Sequence, residues 1–234
     1  MKGRIGRMIA IEGTDGSGKG TQSRRLAARL RRVGIRARRI AFPRYRGSFF
    51  GRMVGAYLRG EYGPLDAVDP HLAALLYAWD RWSARDALLR WLAAGETIIL
   101  DRYVDSNKAH QAARLPRGSD WQGFLSWLER LEYGVLGLPR PDFTVYLYVP
   151  PRVAYELIGR KPARPHLGGR ARDLHERDRL HLVRASRLFM HLARTAPPGR
   201  ASLVRCVVRG RLLSPREIAE EIWKVLGAHG LTGG

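Results

Sequence analysis

The run Gly13-Thr14-Asp15-Gly16-Ser17-Gly18-Lys19-Gly20-Thr21 carries the residue types that hold phosphate. Small residues let successive backbone N–H groups turn inward around phosphate oxygens. A lysine closing such a run reaches the β- and γ-phosphates of a nucleoside triphosphate. The run follows the apolar stretch Met8-Ile9-Ala10-Ile11 and precedes a helical pattern, and the helix adds its positive N-terminal end. Tight packing of a turn is the bland alternative, and the lysine with its flanking elements argues against it. The usual loop has Ser or Thr directly after the lysine. Here Gly20 takes that position and leaves the Thr21 hydroxyl for a phosphate or the shell of a magnesium ion.

Transfer to a second nucleotide requires positive charge on both sides, a carboxylate near the metal, and exclusion of water. Asp101 ends the apolar run Thr97-Ile98-Ile99-Leu100, at the strand end where α/β proteins place ligands. An aspartate there is otherwise a helix cap. Arg102 beside it offers a bidentate fork for an acceptor phosphate. Among glycines and prolines, Arg160, Lys161, Arg164, Arg170 and Arg172 make a cationic segment. It reads as a lid over the transferring phosphoryl group, with a solvated loop as the alternative for any one arginine.

The elements that must position these residues alternate. Strands are expected at 8–11, 36–42, 97–100, 142–149 and 203–208. Helices are expected from about Lys19 to Val33, Phe49 to Arg59, Pro70 to Ala94, Asn107 to Ala113 and Asp120 to Gly134. Pro150-Pro151 opens another, Asp173 to Glu176 has a capping pattern, and Ser214-Pro215-Arg216-Glu217 is a second capping box. This alternation predicts an α/β fold, a five-stranded parallel sheet with helices on both faces and a short lid at about 159–172. Residues 1–234 are expected to form one domain.

The net charge of +21 comes almost entirely from 37 Arg against 5 Lys. Because the arginines are scattered along the chain, a solvated surface plus a pocket for small polyanions is preferred over nucleic acid as main partner. No run of about 18 apolar residues appears, and the basic start lacks a signal peptide's apolar stretch. The single cysteine, Cys206, reads as a buried strand thiol and fits a reducing, cytoplasmic compartment.

Several stretches, in order, resemble the thymidylate kinases. Besides the phosphate loop with Asp15, they are Phe42-Pro43-Arg44-Tyr45, Leu75-Leu76-Tyr77-Ala78-Trp79-Asp80-Arg81, Asp101-Arg102-Tyr103-Val104-Asp105-Ser106-Asn107, Gly137 to Asp142, and Gly169 to Asp173 with Glu176. The resemblance implies an ATP:dTMP phosphotransferase that uses Mg2+ and forms a homodimer. It places Tyr77 on the thymine face and Arg81 and Asn107 at the base edge. Phe42 and Pro43 shape the acceptor pocket, Tyr45 and Arg102 lie near its phosphate, and Asp15 lies near the acceptor sugar or the metal. Arg160 packs on adenine, and Glu176 stands near the lid and metal with Thr21 and Asp101. His110 replaces an aromatic that helps exclude a ribose 2′-hydroxyl. No arginine lies in the phosphate loop, so the catalytic arginine is expected from the lid, Arg170 or Arg172. Other nucleoside monophosphate kinases, for UMP and CMP or for AMP, are the nearest alternative, followed by a non-enzymatic nucleic-acid-binding protein.

Overall fold

The computed structural model describes residues 6–64, 67–116, 118–160, 176 and 178–233. The elements run β1 (Arg7–Gly13), α1 (Lys19–Arg32), β2 (Ala37–Ala41), α2 (Phe49–Arg59), α3 (Pro70–Trp82), α4 (Arg85–Ala93), β3 (Thr97–Asp101), α5 (Val104–Ala112) and α6 (Trp121–Glu129). A π-helical turn, Arg130–Val135, continues α6 and leads to β4 (Phe143–Tyr148). Next come α7 (Pro151–Gly159), α8 (Arg179–Thr195), β5 (Ala201–Arg205), the short strands β6 (Val207–Val208) and β7 (Arg211–Leu212), and α9 (Pro215–Ala228).

Five strands form the expected parallel sheet in the order β2-β3-β1-β4-β5. Alternation along β1 loads both faces. Ile9 and Ile11 pack with Leu26 and Leu30 of α1 and with Ile218 and Ile222 of α9. Met8 and Ala10 pack with Leu88 of α4 and Val104 of α5. Burying both faces is what lets these strands read as continuous apolar runs. In register, Ile11 and Ala41 both lie opposite Asp101, so three strand ends converge at one edge.

Four boundaries differ from the sequence expectation. The helix expected from Pro70 to Ala94 is two helices, because Arg44 and the Ser83 hydroxyl both donate to the Asp80 carbonyl and end the first at Trp82. Helix α5 begins at Val104 rather than Asn107, its first-turn amides satisfied by Glu12 of β1. The helix expected through Gly134 changes to π geometry at Arg130. The last strand ends at Arg205. Beyond Cys206 the chain forms an antiparallel hairpin whose turn residues Arg209 and Gly210 have φ of 49° and 77°, the twist that two-residue hairpin turns favour. Cys206 is buried, which pushes its thiol up to about 12. The start signal expected at Asp173 to His175 lies outside the described residues. Helix α8 is capped by Asp178, which accepts from Leu180 and His181 N–H. The Ser214 and Glu217 capping box forms as expected.

Candidate active site

The ends of β2 and β3, with the loop that follows β1, line a cavity of about 810 Å³. Its first wall is the loop between β1 and α1. Gly13 and Gly16 have φ of 136° and 81°, and a Cβ on either would lie 2.4 Å from the Leu147 carbonyl or 2.6 Å from that of Ala154. Only glycine fits such close backbone approaches. Within this loop Lys19 donates to the Thr14 carbonyl at 2.6 Å and approaches the Ser17 hydroxyl at 3.4 Å. The ammonium is therefore held over the loop at the N-terminus of α1, where an anion gains from both.

A Cβ on Gly20 would fall 3.2 Å from Asp101 Oδ2. That same oxygen accepts from Arg39 at 2.5 Å, and Arg39 also donates to Ser23 at 2.7 Å. Asp101 thus sits between the loop and an arginine of β2.

The second wall begins at Arg102, whose φ of 67° is unusual for a side-chain-bearing residue and costs about 1–3 kcal/mol. The surroundings hold it there: its N–H donates to the Ile11 carbonyl at 3.1 Å. The guanidinium donates to the Ser106 hydroxyl at 3.0 Å and pairs with Asp15 of the phosphate loop. The Asp15–Arg102 pair joins the two walls. Burial disfavours the Arg102 charge, but Asp15, Glu12 and Asp101 outweigh it and hold the pKa above the usual arginine range.

Glu12 escaped the sequence reading. It is wholly buried on β1 and accepts from Tyr103 N–H at 2.7 Å, Ser106 N–H at 3.1 Å and Ser106 Oγ at 2.5 Å. It caps α5 from outside the helix, since Tyr103 has no capping side-chain bond. The available signal was one carboxylate ending an otherwise apolar buried strand. Burial first, then Asp105, raises the Glu12 pKa to about 7, against the opposing pull of Ser106, Arg102 and the Tyr103 amide. The folded state therefore retains a proton that the unfolded chain releases near 4.5. This contribution is complete below pH 4.5 and is lost as pH rises through about 7. In urea titrations across that window, the wild-type midpoint is expected to fall relative to Glu12→Gln. A pH-independent difference between the two would refute it.

Farther along the cavity lie Phe42, Pro43, Tyr45, Tyr77, Arg81, Asn107 and His110, the residues that the resemblance assigned to the acceptor. Asp80, itself almost fully buried, pins the Phe42-to-Tyr45 turn to α3: its Oδ2 accepts Arg44 N–H at 2.8 Å and its Oδ1 faces Arg44 Nε at 3.2 Å. Tyr77 meets Tyr57 edge-on at 6.4 Å while lining the cavity, so its packing and its exposed face coexist. His110 and His181 stack, with Nδ1 and Nε2 3.2 Å apart. Burial and then Arg102 depress the His110 pKa well below the usual histidine value, and burial takes His181 to about 4. Both imidazoles are neutral near pH 7.

Arg81 and Asn107 share the buried carboxylate of Glu132. Asn107 Oδ1 and Gln111 Nε2 are buried without a hydrogen-bond partner, and both residues line the cavity one helical turn apart on α5. Gln111 and Glu132 were not legible from sequence.

Lys19, Gly16, Gly18, Gly20, Thr21, Asp15, Asp101 and Arg102 line the cavity as well, whereas Gly13, Ser17, Arg160 and Glu176 do not. Gly13 and Ser17 shape the loop from behind. Arg160 is exposed at the end of α7, and Glu176 is buried. Arg170 and Arg172 lie outside the described residues. No cluster of three metal-ligating side chains occurs among the described residues. Magnesium keeps several waters and is held by one or two carboxylates with substrate phosphates; Asp15 and Asp101 line the cavity with Thr21 and offer oxygens of that kind, each already paired with an arginine, Arg102 and Arg39.

Residues 11–194 match the family model described as thymidylate kinase. A thymidylate kinase of Mycobacterium tuberculosis (strain ATCC 25618 / H37Rv) is 38% identical over 216 residues, which cover 90% of this chain and 99% of the relative. That of Homo sapiens is 32% identical over 147 residues, 63% of each chain. The solved structure of a thymidylate kinase from Candida albicans matches with a TM-score of 0.75 at 23% identity, covering 97% of this chain and 94% of that one. At that identity the likeness speaks to the fold. Among the described residues, no helix is long and apolar enough to cross a membrane.

Proposed function

Because the chain belongs to the thymidylate kinase family, we propose that it moves the γ-phosphoryl group of ATP to dTMP across the Asp15–Arg102 junction. The single observation carrying this reading is that junction, which brings a triphosphate cradle and an arginine-lined acceptor wall into one cavity.

In this mechanism the loop amides and Lys19 hold the β- and γ-phosphates. Arg102 turns its fork to the acceptor phosphate, whose oxygen attacks the γ-phosphorus directly. A phosphate monoester with a second pKa of about 6 is already ionised near pH 7, so no general base is needed. Arg170 and Arg172 are assigned to the transferring group from sequence alone, and Arg160 to adenine. Asp15 and Asp101, with the Thr21 hydroxyl, would hold a magnesium ion, which when bound would supply neutralisation of phosphate charge. Glu176 is then a buried support rather than a ligand. Tyr77 stacks on thymine, with Arg81 and Asn107 at its edge. Neutral His110 faces the sugar. A homodimer is implied by the resemblance, and the exposed apolar side chains Phe49, Leu72 and Trp82 on α2 and α3 are consistent with a covering copy. A cytoplasmic setting completes the reading.

The test is ADP release with ATP and magnesium, offering dTMP, dUMP, UMP, CMP and AMP separately. A marked preference for dTMP is expected, with gel filtration of the same sample returning twice the chain mass. Preference for AMP or CMP would overturn the base assignment, and no stimulation by any acceptor would overturn the kinase reading.

A further inference from the structure

We propose that Arg39 is a positioning residue that sets how tightly the cavity holds a divalent cation: it keeps Asp101 charge-balanced, so the ion is held by nucleotide phosphates rather than by the empty protein. The inference rests on the kinase reading above and deepens it at the metal end of the site. Arg39 lies on β2, where alternation places it on the face of Ala37, which packs with Leu26 and Leu30 of α1. From there its planar fork divides between two acceptors. Nε donates to Ser23 Oγ at 2.7 Å, and Nη2 donates to Asp101 Oδ2 at 2.5 Å. Ser23, wholly buried, donates in turn to the Gly20 carbonyl at 3.2 Å. The guanidinium is thus fixed between the end of β3 and the first turns of α1.

Three features leave the cavity itself poor in cation ligands. The position after Lys19, where a hydroxyl usually joins the metal shell, is Gly20. Asp15 is paired with Arg102, and Asp101 with Arg39. A further arginine stands close by. Arg24 lines the cavity, its Nη1 3.6 Å from where a Gly20 Cβ would lie, and Asp101 Oδ2 is 3.2 Å from that same point. Carboxylates and carbonyls behind a metal ligand strengthen it, and their loss costs about ten- to a hundredfold in metal affinity. A cation in that place acts with the opposite sign, because it repels the incoming ion and occupies an oxygen the ion would use. The Arg39 and Asp101 side chains are 26% and 13% exposed, so water screens this opposition only in part.

Titration of the nucleotide-free protein with Mn2+ tests this, since electron paramagnetic resonance counts the free ion directly. Arg39→Met is expected to bind Mn2+ about tenfold more tightly than wild type. The gain should vanish when Asp101→Asn is added. Arg39→Lys should stay within a few-fold of wild type, because it keeps the charge. Ser23→Ala should as well, because it leaves the Arg39–Asp101 pair in place. Should Arg39→Met not fold, judged by circular dichroism, Arg39→Gln removes the charge while keeping a donor, and the same gain is expected. No gain over wild type, or a gain that survives Asp101→Asn, would overturn the inference and leave Arg39 a structural tie between β2 and α1. Weaker binding in Arg39→Met would overturn it as well, showing that the arginine aims the carboxylate at the ion. These titrations involve no turnover, so failure of the wild type to phosphorylate dTMP would instead overturn the functional reading.

Discussion

Replacement of Lys19 by alanine is expected to lower kcat by about a hundredfold or more, the scale seen when one preorganised charge stabiliser is removed. The side chain is buried in the phosphate loop, and its ammonium bonds to Thr14 and reaches Ser17. Ordering its long side chain has therefore been met on folding rather than during the reaction. Charge that accumulates between the β- and γ-phosphates in transfer meets a fixed cation in a partly dry cavity, where its effect exceeds that in water. The loss should fall on kcat more than on KM for dTMP, because the acceptor wall is untouched. Steady-state kinetics with a coupled ADP assay separates the two. A near-normal kcat would mean that the loop amides alone carry the phosphates.

The second large effect concerns Arg102. Arg102→Ala should reduce kcat/KM for dTMP by about a hundredfold to a thousandfold, and Arg102→Lys should restore only a small part. The Arg102 backbone is left-handed, its guanidinium is fixed by Asp15 and Ser106, and Ser106 is in turn held by Glu12. Lysine would retain the charge, but as a point with three donors it cannot copy a planar fork. The alanine variant also leaves Asp15 without this counterion, so part of the loss reflects an unbalanced carboxylate near the phosphates. Full recovery by lysine would show that charge alone suffices and that the fork geometry is dispensable. A KM for ATP that stays within a few-fold of wild type would place the damage on the acceptor side.

The phosphate loop, the alternation of strands and helices and the capping box at Ser214 were legible because each is written in consecutive residues. A loop such as Gly13 to Thr21 is made largely of its own backbone, and the flanking apolar periodicity tells which way the chain enters and leaves. The cavity-lining positions Tyr77, Arg81 and Asn107 were reached through resemblance to a family, with no local pattern that would have distinguished Tyr77 from a core aromatic, whereas Arg102 stood out beside Asp101 at a strand end. Tertiary structure alone decided the partners. Glu12 meets Ser106 across 94 positions, Arg81 meets Glu132 across 51, and Arg39 meets Asp101 across 62. Such pairings follow from sheet register and helix packing, which bring distant charges together only after the chain has folded. The break after Trp82 has the same origin, since Arg44 takes a helix carbonyl from outside the helix. Local pattern named the groups that can bind phosphate. Burial and long-range pairing set their orientation and charge state, because desolvation and partner geometry do not exist until the sheet and helices close around them.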